Sequence, residues 1–209
     1  MKRLLCLLLA LCMVLSLTAC GGEQPESVQL FAMDTVMDLT AYGENAAAAL
    51  TDASREINRL ERLLSRTNKI EDSEISRINS AGGNPVEVSK ETIKLIKKGI
   101  YYSEMSDGAF DITIAPLVSL WGITTDSPYV PTQQEIDALL PLVGAEHLHL
   151  SGDTATLDDG CAIDLGGIAK GYASDRVAAI FAQHGITSGT ISLGGNVYVC
   201  GAKPNGQPW

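Results

Sequence analysis

The chain has 209 residues, with 15 basic against 25 acidic and a formal net charge of −10. Hydrophobic residues make up 45% and aromatics 5%, which fits one soluble domain of good size, or two small ones, with an aliphatic core. The acidic balance argues against a nucleic-acid partner and against electrostatic docking on anionic lipid.

In chain order, a basic start at Lys2 and Arg3 is followed by an apolar run from Leu4 to Leu17 and then Leu17-Thr18-Ala19-Cys20. Residues 1–20 therefore read as a secretory signal closed by a lipobox, with Cys20 acylated as the new N-terminus. The alternative, a membrane-spanning helix, asks for a longer apolar run. The protein is expected to be lipid-anchored outside the cytoplasm, at the periplasmic or outer face. Residues 21–28 read as a tether and 29–209 as the folded portion.

Val28 to Met33 and Val36 to Tyr42 read as two strand segments broken at Asp34-Thr35. Ala46 to Leu64 is expected to be an amphipathic helix, with Leu50, Ala53, Ile57, Leu60 and Leu64 on one face and a solvated charged face opposite. Ser73 caps a short helix carrying Ile75 and Ile78, and Ser89 with Thr92 opens a longer one through Leu95, Ile96 and Ile100. Val86-Glu87-Val88 between them reads as an edge strand. Thr132 caps a helix running to Leu140, and His147 to Leu150 and Thr154 to Leu157 form a hairpin about Gly152-Asp153. Gly189 to Leu193 and Val197 to Cys200 form another about Gly194-Gly195-Asn196. Trp209 stands at the end of a turn, with no strand after it to cover it.

Of the five cysteines, Cys161 and Cys200 fall in strand-like apolar runs and read as buried thiols, with a disulfide between the two as the alternative in an oxidising compartment. His147, His149 and His184 are too scattered to suggest a zinc site.

The central stretch is Ile163-Asp164-Leu165-Gly166-Gly167-Ile168-Ala169-Lys170-Gly171-Tyr172-Ala173-Ser174-Asp175. Cys161-Ala162-Ile163 reads as a strand edge ending near Asp164, with a glycine-rich turn next and a helix from about Ala169. Such a turn offers unpartnered N–H groups at the positive end of a helix dipole, and Lys170 adds a full charge. A phosphate-bearing ligand suits that environment, with Asp164 accepting from a polar ligand edge or serving a metal. A plain strand-turn-helix joint, with Lys170 in solvent, explains the same residues. Neither GxxxxGK[ST] nor GxGxxG is present.

Met33-Asp34-Thr35, Gly108-Ala109-Phe110-Asp111, Asp164 to Asp175 and Ser192 to Asn196 each combine small residues with polar groups that a core does not need. Together they resemble the ApbE family of FAD:protein FMN transferases. The matching runs are AMDTVMDLTAYG, EINRLERLLSRTNKIEDSEISRINS, SDGAFDITIAPLVSLWG, IDLGGIAKGYASDRV and GTISLGGNVYVCG. The resemblance implies an α+β fold of antiparallel-rich sheets flanked by helices. It implies FAD as substrate, with magnesium-dependent transfer of FMN to a threonine of a target protein and release of AMP. The target would be an electron-transfer subunit at the membrane.

By the same resemblance, Met33, Ala109, Phe110, Asp111, Asp164 and Lys170 would contact FAD, and the Gly167 carbonyl would be a magnesium ligand. Two departures stand out. The Arg66-Thr67-Asn68-Lys69 loop lacks the family's flavin-contacting aromatic, and Asp34-Thr35 replaces a common Gly-Thr. The family's run resembling His-x-Ile-Asp-Pro-x-Thr-Gly, and the later Asp and Thr magnesium ligands, are expected beyond Trp209. The chain thus reads as the N-terminal portion of the enzyme and is expected to be inactive alone. A flavin carrier without transferase activity, and a solute-binding lipoprotein, are the alternatives.

Overall fold

The computed structural model describes residues 24–67, 73–123 and 125–209. The leader with Cys20, and Asn68 and Lys69 of the expected flavin loop, lie outside the described residues.

Strand β1 (Glu26–Ala32) pairs antiparallel with β2 (Thr35–Tyr42) through a two-residue turn at Met33-Asp34. β1 starts inside the expected tether, because its register reaches Glu26 opposite Ala41 and the Ser27 and Thr40 hydroxyls meet at 2.9 Å. After β2, Gly43 turns the chain into α1 (Ala46–Leu64), which has the expected bounds. Its buried residues, from Ala46 through Ala53 and Ile57 to Leu64, recur every three or four positions and cover β1 and β2. The short helix α2 (Glu74–Asn79) follows, capped by Ser73 accepting from the Ser76 N–H. Strand β3 (Val86–Glu87) leads into α3 (Lys90–Met105), where Ser89 accepts from the Thr92 N–H. A short 3-10 turn at Ile112–Ile114 runs into α4 (Ala115–Trp121). Next comes α5 (Gln133–Leu139), where Thr132 and Glu135 close a full capping box. Then β4 (Leu148–Ser151) and β5 (Thr154–Leu157) form the hairpin read from the alternation. Helix α6 (Gly166–Gln183) and the hairpin of β6 (Ser188–Leu193) with β7 (Asn196–Cys200) finish the chain.

The strands make two antiparallel sheets, one in the order β1-β2-β6-β7 and a smaller one in the order β3-β5-β4. The fold is therefore α+β with helices flanking antiparallel sheets, as expected. Helices α1 and α6 pack together against the larger sheet. Small residues on α6, Ala169 and Ala173, let the two helices approach, and Val177 and Phe181 fill the remaining space.

The charged face of α1 is not simply solvated. Arg59 donates to both Glu56 (2.8 Å) and Glu91 (2.8 Å), Arg176 of α6 donates to Glu56 (2.9 Å), and the Tyr172 hydroxyl donates to Glu91 (2.6 Å). The bond from Arg59 and, beside it, Arg176 hold the Glu56 carboxyl down at about 2 despite its burial. Burial, and then the bond to Glu91, push the Tyr172 phenol up to about 12. This network ties α1, α3 and α6 together.

Two further readings change. Cys161-Ala162-Ile163 is not a strand. Its backbone is engaged by a side chain instead, for Asn79 accepts from the Ile163 N–H (2.8 Å) and donates to the Ile163 carbonyl (2.9 Å). Cys161 is buried, but Cys200 is partly exposed on the edge strand, and both are free thiols. His147 and His149 are brought together, each 3.0 Å from one oxygen of Asp158. Trp209 lies against Tyr42, with ring centroids 6.1 Å apart.

Candidate functional site

Two hairpin turns stand at the same end of the larger sheet. Met33 and Asp34 both take left-handed backbone angles (φ 50° and 57°), the geometry a two-residue hairpin needs to match strand twist. Beside them, Gly194 turns β6 into β7 and donates its N–H to the Val36 carbonyl (3.2 Å). A Cβ at Gly194 would run into the Thr35 side chain, so the two turns can lie together only with glycine there. At the foot of β7, the Asn196 amide donates to Ser174 of α6 (2.7 Å) and fixes the hairpin against that helix.

The N-terminus of α6 faces these turns. The glycine pair is not a turn before the helix, as the sequence suggests, but its first two residues. The helix starts early because Asp164 accepts the Gly166 N–H (2.7 Å) and Leu165 accepts from both Ile168 and Ala169 (2.9 and 2.8 Å). Asp164 is itself held by its N–H donating to the Ile112 carbonyl (2.7 Å).

Between the turns and α6 lies a cavity of about 580 Å³. Met33, Asp34 and Thr35 line one side, Glu61, Leu64, Ser65, Arg66 and Thr67 at the end of α1 a second, and Asp164, Gly166, Ala169 and Lys170 a third. That volume falls in the range of small-molecule sites. Within it the Arg66 Nε lies 2.9 Å from Asp164 Oδ2, and Glu61 accepts the Met33 N–H (3.1 Å). The lining holds three carboxylates (Asp34, Glu61, Asp164) against two cations (Arg66, Lys170).

Of the expected site residues, Met33, Asp164 and Lys170 line this cavity. Gly167 adjoins it through Gly166, and the Phe110 ring lies directly over Gly167: a Cβ there would stand 2.7 Å from Phe110 Cε2. Ala109 is exposed and does not line the cavity. Asp111 is occupied elsewhere, accepting from the Thr113 N–H and hydroxyl (both 2.7 Å) and from Ser103 (3.2 Å). Sequence reasoning missed Glu61, assigned to a solvated face, and gave Arg66 no role beyond a loop without an aromatic. No local signal marks either residue, since each takes its partner from a distant element.

A helical carbonyl accepts from the residue four positions on, so Gly167 has one lone pair at most for a metal. Among the described residues no group of three or more His, Cys, Asp or Glu converges as a ligand set. Gly167 alone does not make an octahedral oxygen site.

The sequence profile described as "ApbE family" matches residues 33–209. The chain is similar to the FAD:protein FMN transferase of Vibrio cholerae, 36% identical over 142 residues that cover 66% of this chain and 42% of the relative. It is also similar to the FAD:protein FMN transferase of Haemophilus influenzae, 28% identical across 100% of this chain and 64% of that one. Among solved structures, the ApbE protein of Thermotoga maritima superposes with a TM-score of 0.80 at 31% identity, covering 88% of this chain and 61% of that one. The flavin transferase ApbE from Vibrio cholerae superposes with 0.79 at 31% identity, covering 89% and 63%. The chain thus spans from under half to less than two thirds of the length of these relatives.

Proposed function

Since the chain belongs to the ApbE family, we propose that it is the FAD-binding portion of an FAD:protein FMN transferase. The observation that carries this reading is the cavity in which Arg66, Lys170 and the N-terminus of α6 face the Met33-Asp34 turn. A flavin dinucleotide has an apolar ring and a pyrophosphate, and this cavity offers partners to both. Met33 and Leu64 supply apolar surface, while Arg66, Lys170 and the helix dipole favour phosphate oxygens.

The reaction would be attack of a threonine hydroxyl oxygen on the phosphorus of the FMN half. The new O–P bond forms as the pyrophosphate P–O bond breaks, AMP leaves with the bond's electrons, and the hydroxyl proton is lost. The chain's own residues bind and orient FAD for this step. Asp164 holds the Arg66 guanidinium by one oxygen and the helix start by the other, so the cationic groups are set before ligand arrives. Three carboxylates against two cations leave the lining short of positive charge for a pyrophosphate. A magnesium ion would supply the remainder, with the Gly167 carbonyl as its expected contact. The described residues do not complete such a site.

The acceptor would be an electron-transfer subunit, and the protein would work outside the cytoplasm, held by lipid on Cys20. The test uses the protein expressed from its whole gene, mixed with FAD, magnesium and a candidate acceptor. An added FMN mass on the acceptor together with free AMP, both lost on adding a chelator, is the expected result. FAD binding with neither product would support a flavin carrier in its place.

A further inference from the structure

The exposed face of α3 carries a straight stripe of side chains. Lys90, Lys94, Lys97 and Lys98 are followed by Tyr101, Tyr102 and Met105, all exposed on successive turns over about 24 Å of helix, with Glu104 the exposed acid beside them. The opposite face, with Thr92, Ile93, Leu95, Ile96 and Gly99, is buried against the fold. Half of the chain's eight lysines thus stand on one face of one helix in a protein of net charge −10. Among the described residues none of the four is in an ion pair, whereas Arg55, Arg59, Arg66, Arg77 and Arg176 all are. Tyr101 and Met105 are 53% and 67% exposed, and the two tyrosine rings pack edge to face at 5.4 Å.

We propose that this face of α3 docks on an anionic lipid surface. The lysines would meet headgroup phosphates, and Tyr101, Tyr102 and Met105 would enter the interfacial layer, where amphipathic rings reside. The make-up of the stripe favours a bilayer over an acidic protein. The cationic side chains stand beside exposed aromatic and thioether side chains on one helix, the combination that an interfacial layer takes. Net charge, which argues against lipid docking, averages over the whole surface. Attraction is decided within a Debye length of about 10 Å, where this face presents its lysines. The proposal does not depend on the transferase reading.

The test is sedimentation of the full chain, carrying Cys20→Ser so that no acyl group is attached. The probes are vesicles of phosphatidylcholine alone and of equal parts phosphatidylcholine and phosphatidylglycerol. About tenfold or stronger partition onto the anionic vesicles at low salt is expected, together with its loss in the Lys94→Glu/Lys97→Glu/Lys98→Glu variant. These side chains are exposed, so an unchanged melting temperature checks that the variant is folded. Because the apolar leader with Lys2 and Arg3 is common to both proteins, the difference between them isolates α3. The Tyr101→Ser/Tyr102→Ser/Met105→Ser variant should bind several-fold more weakly at the same low salt. Equal partition of wild type and the charge-reversed variant onto the anionic vesicles overturns the proposal. Lysine-dependent capture on polyglutamate beads without any vesicle preference also overturns it, and would assign the face to an acidic protein.

Discussion

Arg66 and Asp164 stand 2.9 Å apart across the cavity, and the second oxygen of that carboxylate accepts the N–H that starts α6. One side chain therefore couples a loop after α1 to a helix N-terminus. Both side chains are mostly shielded, at 18% and 21% exposure, so the pair is better screened from water than a surface ion pair. Arg66→Ala and Asp164→Asn should each weaken FAD binding by about tenfold, or about 1.4 kcal/mol. The double variant should lose less than the sum, because the two act as a unit. Titration of flavin fluorescence reads all three, and strict additivity would mean that the pair does not set the site.

Asn79 should matter more to stability than its place at the end of a short helix suggests. It satisfies both backbone groups of Ile163, a fully buried residue. Asn79→Ala leaves a donor and an acceptor without partners, at a cost of about 2–3 kcal/mol in urea unfolding. Asn79→Asp should not restore it, because a carboxylate oxygen would then face the Ile163 carbonyl. A loss below half a kcal/mol in Asn79→Ala would show that water replaces the clamp.

At Gly167, two effects oppose each other. Alanine is the better helix former by about 1 kcal/mol, but its Cβ would press on the Phe110 ring edge. Phe110 is half-buried and can swing outward, so Gly167→Ala should change the melting temperature little. The displaced ring should nevertheless weaken FAD binding several-fold. Thermal unfolding and flavin titration on the same sample separate the two, and unchanged affinity would remove Phe110 from the ligand's surroundings.

Acid should weaken the network joining α1, α3 and α6. The folded-state value of Glu56, about 2, lies below its ordinary 4.5. A depressed carboxyl contributes stability that is complete above about 4.5 and is lost as pH falls toward 2. The Glu56 side chain is 12% exposed, so the contribution reaches up to about 3 kcal/mol, reduced because Arg59 and Arg176 are half in water. Urea unfolding at pH 6 and pH 3 should show a larger loss for wild type than for Glu56→Gln. Parallel losses would place the acid sensitivity elsewhere.

Local order was legible in the sequence wherever it depends on residues a turn apart. The bounds of α1, the caps at Ser73, Ser89 and Thr132 and the hairpins β4–β5 and β6–β7 follow from periodicity and from side chains that reach their own backbone, whereas the break at Asp34-Thr35 did not reveal that β1 and β2 pair as a hairpin. The family motifs pointed to Met33, Asp164 and Lys170, which line one cavity. Ile163 reads as a strand from its apolar neighbours, because nothing near it reveals that Asn79, 84 residues away, occupies its hydrogen bonds.

What the chain determined by itself is therefore the set of elements, their faces, and membership of a family that shares its motifs. The tertiary structure alone decided which charge meets which. Glu61 turned to the Met33 backbone, Arg66 to Asp164, and Asp111 away from the cavity to cap its own turn. Periodicity and capping are satisfied within a few residues, whereas an ion pair depends on distance in space. Any of the chain's cations could have answered Asp164 until the fold brought Arg66 to it.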